Sequence, residues 1–343
     1  MGGLIFEPPT SCSQSKRASR TAPRPDEMDW PSIMRRMNTR QANIIATCIS
    51  FLIGISACSS PTEMIPAQTA LAPTPTVTVT FSSSAVPVTF TPSPLPVSAT
   101  STPFTCQDES GRVQKDVVET TKPPQEFLIY LPPCYESSTD LRFPVLYLLH
   151  GQTYTDDQWV RLGVPQIADQ LIHAGEIVPF VIVFPDDRYW NLEAGSGFGN
   201  RLINALIPYV DANYRTLADR DHRSLGGLSR GGGWTVELGF VHPELFGALG
   251  LHSPAIFVKD GPYIERMIEA LPENDRPQLW LDVGDVDSEL SSIIPFEEKL
   301  TSNNFIHEFH FYPGAHTEDY WGDHVEEYLR WYAQRWMENP TGE

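Results

Sequence analysis

Residues 222–254 read HRSLGGLSRGGGWTVELGFVHPELFGALGLHSP, and the order of residue types within them decides the fold. A short apolar approach runs into Gly227-Leu228-Ser229-Arg230-Gly231, and a run with helical periodicity follows at once. The reading is strand, sharp turn, helix. In that context a G-x-S-x-G pattern puts its serine in a strained backbone conformation at the tip of the turn, and the flanking glycines let strand and helix approach. Ser229 is therefore expected to stand exposed. The amide of Arg230 and the helix N-terminus would lie beside any oxyanion formed there, where partial positive charge is useful.

Outward from this stretch, apolar runs of strand length alternate with helical patterns. Strands are expected at Val113–Val118, Glu126–Leu131, Pro144–Leu149, Phe180–Phe184, Ser224–Leu228, Ala248–Leu251, Leu279–Val283 and Glu308–Tyr312. The first two alternate in polarity like an antiparallel pair, whereas PVLYLL is continuously apolar, as in a strand covered on both faces. Helices are expected around Gln166–His173, Arg201–Asn213, Gly232–Val241, Tyr263–Ala270, Ser288–Leu300 and Asp319–Met337. This order predicts one α/β domain over residues 106–343, a mostly parallel central sheet with helices on both faces and ligands gathered at the carboxyl ends of the strands. No insertion long enough to form a large lid domain stands between the strands.

A serine hydroxyl is a weak nucleophile and needs a histidine to take its proton and a carboxylate to orient that histidine. Of nine histidines, His316 fits best, because it follows the last strand and the turn Pro313-Gly314-Ala315. The strand LWLDV ends in Gly284-Asp285-Val286-Asp287, so Asp287 is the expected acid and Asp285 the fallback; Asp282 lies inside the strand. A second oxyanion donor is expected from the Gln152 amide, in the loop His150-Gly151-Gln152-Thr153. Tyr154, Trp159, Trp190 and Trp321, with the irregular segment DDRYWNLEAGSGFGN at 186–200, are expected to line an open cleft suited to sugars or phenolic groups.

The 343 residues carry 43 acidic and 24 basic side chains, a net charge of −19. Such a surface repels nucleic acid and anionic lipid, so neither is expected as a ligand, and no metal or organic cofactor is implied. The amino-terminal third has a different character. Residues 1–33 read as a disordered leader or a mis-assigned start, with translation beginning at Met34 or Met37. Residues 34–58 have a basic start, a short apolar run and small residues before Cys58, the pattern of a secretory signal. Residues 59–105, dense in Pro, Thr and Ser with Glu63 their only charge, read as an extended linker. In an exported domain, Cys106 and Cys134 are expected to pair as a disulfide.

The stretches PVLYLLHG, GGLSRGG with HPELFGALG, and YPGAH followed by Trp321 resemble the esterase family of the α/β-hydrolase superfamily that includes esterase D, feruloyl and acetyl-xylan esterases, enterochelin esterases and mycolyltransferases. The resemblance implies Ser229 as nucleophile, His316 as base, Asp287 as orienting acid, and the Gln152 and Arg230 amides as oxyanion hole. Arg230 departs from the methionine many members carry. ISAC, ending at Cys58, resembles the lipobox of bacterial lipoproteins, which implies acylation of that cysteine and anchoring at the outer face of a bacterial membrane. The expectation is an exported serine esterase acting through an acyl-enzyme on a small-molecule or glycan ester. An acyltransferase of mycolyltransferase type, or a catalytically silent surface binding protein on a hydrolase scaffold, are the alternatives. Oligomeric state is left open.

Overall fold

Strand burial explains the sheet order. Residues 109–188, 197–257, 261 and 263–338 are described in the structure, a computed structural model. Every residue is buried in β3 (Val145–Leu149), β4 (Val181–Pro185), β5 (Arg223–Leu228) and β6 (Ala248–His252), whereas β1 (Arg112–Val118) and β8 (Glu308–Tyr312) are half exposed. With β2 (Gln125–Leu131) and β7 (Gln278–Gly284) they form one eight-stranded sheet in the order β1-β2-β4-β3-β5-β6-β7-β8. The exposed strands are thus its edges. β2 runs antiparallel to both β1 and β4, and all other neighbours are parallel. The expected strands are all present, with ends that agree to within one residue.

The helices are α1 (Gln158–Arg161), α2 (Val164–His173), α3 (Phe198–Arg201), α4 (Ile207–Asn213), α5 (Arg230–Val241), α6 (Ile264–Ala270), α7 (Leu290–Ser302) and α8 (Glu318–Glu338). The single helix expected over 201–213 begins earlier and passes through a π turn, Leu202–Leu206, between α3 and α4. Pro208 has no amide to donate, and the change of register falls just before it.

Helices cover both faces. A methyl group at Gly226 or at Gly250 would stand 1.8 Å from the Tyr332 hydroxyl, so α8 crosses the sheet on that side. Gly239 of α5 packs against the Leu249 side chain, which points the opposite way from Gly250. The buried stripe of α8 (Tyr320, Trp321, Val325, Tyr328, Leu329, Tyr332, Ala333 and Trp336) follows the helical period and joins Leu146, Leu148, Ile182, Phe184 and α2 in a core cluster. At about 1.5–3 kcal/mol for each fully buried large side chain, this stripe is a main attachment of the C-terminus to the sheet.

β3 pairs with β4 on one side and β5 on the other, so the direction of winding reverses there. A crevice opens at the carboxyl ends of such strands. The loop after β3 carries Gly151 and Gln152, and the turn after β5 carries Ser229. Among the described residues no inserted lid domain separates the strands, and no helix is long and apolar enough to cross a membrane. The expected leader, signal and linker, with Cys58, Cys106 and Trp190, lie outside the described residues.

Candidate active site

The turn between β5 and α5 holds Ser229 at φ 52° and ψ −117°, a region that side chains other than glycine rarely enter. Crowding explains the glycines around it. A Cβ on Gly227 would meet the Gly231 carbonyl carbon at 2.5 Å, and one on Gly231 would meet the Leu149 oxygen at 2.3 Å. Three hydrogen bonds lock the strained serine in place: its amide donates to His252 O (3.0 Å), and its carbonyl accepts from Gly233 N (3.0 Å) and Ala255 N (2.8 Å). Strain persists where the surroundings over-determine it in this way.

His316 emerges from the loop after β8 and brings Nε2 to 2.8 Å from Ser229 Oγ. Its Nδ1 lies 3.0 Å from each oxygen of Asp287. A carboxylate facing Nδ1 fixes the proton on that nitrogen, so the Nε2 lone pair is directed at the serine hydroxyl. Asp287 is held in turn: the Glu289 amide donates to Oδ1 at 2.7 Å, and its side chain has no exposed surface. Trp321 packs against His316 with the two rings nearly perpendicular, centroids 4.9 Å apart and planes at 82°. Asp285 has another task. Its carboxylate accepts from Gly314 N at 3.0 Å and its amide donates to Tyr312 O at 2.8 Å, tying the loop after β7 to the loop after β8. Of the two aspartates that competed in the sequence, Asp287 is the one that reaches His316.

Gly151 approaches the nucleophile closely; a Cβ there would lie 3.6 Å from Ser229 Cβ. Its amide donates to the buried Gln158 Oε1 at 2.8 Å. Among the described residues the amides of Gln152 and Arg230 donate to no protein acceptor, which leaves both available to a ligand. His150 is buried beneath this loop. Its Nε2 accepts from Asp187 N at 2.8 Å and its Nδ1 donates to Gly151 O at 2.7 Å, so the ring ties this loop to the end of β4.

The remaining expected site residues divide. The Arg230 side chain turns to Asp187, with Nε 3.1 Å and Nη2 3.0 Å from Oδ2, while its guanidinium lies 5.7 Å from both the Trp234 and Phe257 rings. Trp234 also donates to Asp187, at 3.0 Å. Burial pushes the Asp187 carboxyl above its usual range, against the opposing pull of Arg230 and Trp234. Tyr154 is exposed, with Arg161 over its ring at 5.6 Å. Trp159 is a correction: it is 1% exposed, donates to Leu149 O at 3.0 Å and packs against His252 and Tyr328, so it is core and lines no cleft. Trp321 is corrected in the same sense, because it is buried behind His316 rather than facing solvent. The reason is common to both: an indole beside a sheet covered by helices gains more from burial than from exposure.

Two features escaped the sequence reading. His252 and Asp282 form a fully buried pair, with Nδ1 2.7 Å from Oδ1, and Asp282 also accepts from Trp280, Tyr320 and Tyr328. The register that places His252 opposite Asp282 across β6 and β7 could have suggested it. Gln158, on a four-residue helix, carried no signal in its residue type alone. Among the described residues no group of His, Cys, Asp and Glu side chains is arranged to hold a metal ion.

The model of the family described as "Putative esterase" matches residues 119–332, more than half of the chain. An endo-1,4-beta-xylanase/feruloyl esterase of Xylanibacter ruminicola is 32% identical over 175 residues, covering 47% of this chain and 24% of that protein. An esterase of Mycobacterium tuberculosis is 33% identical over 141 residues, covering 38% of this chain and 30% of its own length. The matches thus span less than a third of these relatives. Among solved structures, a ferulic acid esterase aligns with a TM-score of 0.60 at 24% identity over 66% of this chain and 99% of its own. The S-formylglutathione hydrolase of Staphylococcus aureus aligns with a TM-score of 0.55 at 16% identity over 65% and 98%. Both share the α/β-hydrolase fold. The chain belongs to this esterase family.

Proposed function

We propose that the protein is a serine esterase working through an acyl-enzyme, with Ser229 as nucleophile. Ser229 Oγ attacks the ester carbonyl while His316 Nε2 takes its proton, and Asp287 holds the imidazole and stabilises its charged form. The Gln152 and Arg230 amides receive the oxyanion. His316 then returns the proton to the departing alcohol, and water, deprotonated by the same nitrogen, releases the acid. The observation that carries this reading is the 2.8 Å contact between Ser229 Oγ and His316 Nε2 at the tip of a strained turn, with Asp287 behind.

For the substrate we infer an aromatic ester linked to carbohydrate. Support comes from the feruloyl esterase name of the Xylanibacter relative and from Tyr154, Trp234 and Phe257 on the segments around the serine. A panel of feruloylated sugars, acetylated sugars and p-nitrophenyl esters tests it. Release of ferulic acid at the highest kcat/KM, absent in Ser229→Ala, is the expected result; turnover of short acyl esters alone would refute the substrate class. A transfer product in the presence of a carbohydrate acceptor would point to acyl transfer instead.

The same reading places the domain outside the cell, lipid-anchored at Cys58, with Cys106 and Cys134 paired. A disulfide-bonded Cys134 supports the pairing. Cys58→Ser is expected to move the protein from the membrane fraction to the medium, and an unchanged distribution would reject the anchor.

A further inference from the structure

Gln158 is completely buried, and its side-chain amide is divided between the two loops that bear on Ser229. Oε1 accepts from the Gly151 amide at 2.8 Å, and Nε2 donates to Glu318 Oε1 at 3.1 Å. Gly151 immediately precedes Gln152 and lies against Ser229. Glu318 opens α8 two residues past His316, where a carboxylate also complements the helix N-terminus. From Glu318 the chain of contacts continues to Arg161, whose Nη2 lies 3.1 Å from Oε1 and Nη1 3.3 Å from Oε2, and then to Asp157 at 3.1 Å from Arg161 Nε. Both ends therefore return to the short segment 157–161.

We propose that Gln158 is a positioning residue that couples the oxyanion loop to the histidine loop, so that the Gln152 amide and His316 Nε2 are held in register on Ser229. The proposal rests on the proposed catalytic roles of Gln152 and His316. Residue chemistry at position 158 is demanding: one end must accept from an amide and the other must donate to a carboxylate. A carboxylate in place of the glutamine keeps the first bond and sets two negative charges against each other in the second. An aliphatic side chain leaves the buried Gly151 amide without an acceptor. Only a primary amide of this length satisfies both partners with the orientation the contacts require.

A charge swap separates coupling from mere packing. Gln158→Glu is expected to lower kcat about tenfold to a hundredfold, the scale of a displaced oxyanion donor, while KM changes by less than about threefold. Adding Glu318→Gln to it restores a donor facing an acceptor across the same gap, and kcat should return to within about threefold of wild type. Wild-type kcat in Gln158→Glu, or a double variant as slow as the single one, would overturn the proposal. Should Gln158→Glu prove unstable, a double variant that regains both stability and kcat supports the coupling, and one that regains stability alone overturns it. Ser229→Ala run alongside keeps the two readings apart: if it is inactive and the swap fails, only the coupling is lost, whereas activity in Ser229→Ala removes the catalytic reading itself.

Discussion

Two histidine–aspartate pairs draw their aspartates from β7 and the loop after it, and their contacts give them opposite tasks. His252 Nδ1 meets Asp282 at 2.7 Å, and His316 Nδ1 meets Asp287 at 3.0 Å. The difference lies at the other nitrogen. His252 Nε2 faces the Tyr332 hydroxyl at 3.0 Å inside a core where neither partner is exposed, whereas His316 Nε2 faces Ser229 at the carboxyl end of β5 and its side chain is 22% exposed. Asp282 is also saturated, with Trp280 sharing Oδ1 with His252 and two tyrosines on Oδ2. A His–Asp pair is thus a structural unit in itself; it becomes a base only where the second nitrogen meets a reactive hydroxyl that substrate can reach.

The largest expected effect separates the pairs by activity. His316→Ala should lower kcat by about 10⁴-fold or more while shifting the melting temperature by only a few degrees, because it empties a partly exposed position. Steady-state kinetics beside a thermal melt checks both halves, and a cooperative loss of structure would break the distinction. Asp282→Ala should do the reverse. It strips the partner from a buried histidine and three hydroxyl or indole donors, a loss of about 3–5 kcal/mol in denaturant unfolding, with kcat per folded molecule reduced far less.

Acid sharpens the same contrast. Burial pushes the Asp282 carboxyl up, but attraction to His252 and hydrogen bonds from His252, Trp280 and Tyr320 more than offset this and hold it below the usual carboxylate range. A depressed folded value contributes stability that is fully present above the unfolded aspartate value of about 3.9 and is lost as pH falls through the lower folded value. Denaturant unfolding measured from pH 5 downward should therefore fall less steeply in Asp282→Asn than in wild type. Equal slopes would remove Asp282 from the acid response.

The smallest effect is expected at Arg230. As a free cation beside the nucleophile it would select anionic acyl groups, but Asp187 neutralises it and Trp234 and Phe257 flank it. Arg230→Met should change kcat/KM by about fivefold or less, the scale of one partly exposed ion pair, and by the same factor for neutral and anionic esters. A selective loss on anionic esters would restore a specificity role to the guanidinium.

These contrasts mark what the sequence made legible. Strand positions, and Ser229 and His316 as partners, were readable because apolar runs of strand length, glycine crowding and chain order are local or topological signals. Asp287 and Asp285 could not be separated until the loops after β7 and β8 met, since which carboxylate turns to His316 depends on the Gly314 amide occupying the other. Trp159 and Trp321 look in sequence like cleft aromatics, but their burial follows from α2 and α8 covering the sheet, which no short pattern encodes. The His252–Asp282 pair and the Gln158–Glu318 contact join residues 30 and 160 positions apart, so the meaning of each polar residue comes from a distant partner.

The most direct test of the central claim is intact-protein and peptide mass spectrometry after reaction with a fluorophosphonate or a slowly hydrolysed ester. The account predicts one adduct per chain, on Ser229, absent in Ser229→Ala and strongly slowed in His316→Ala. An adduct on another residue, or unchanged ester turnover in Ser229→Ala, would contradict it.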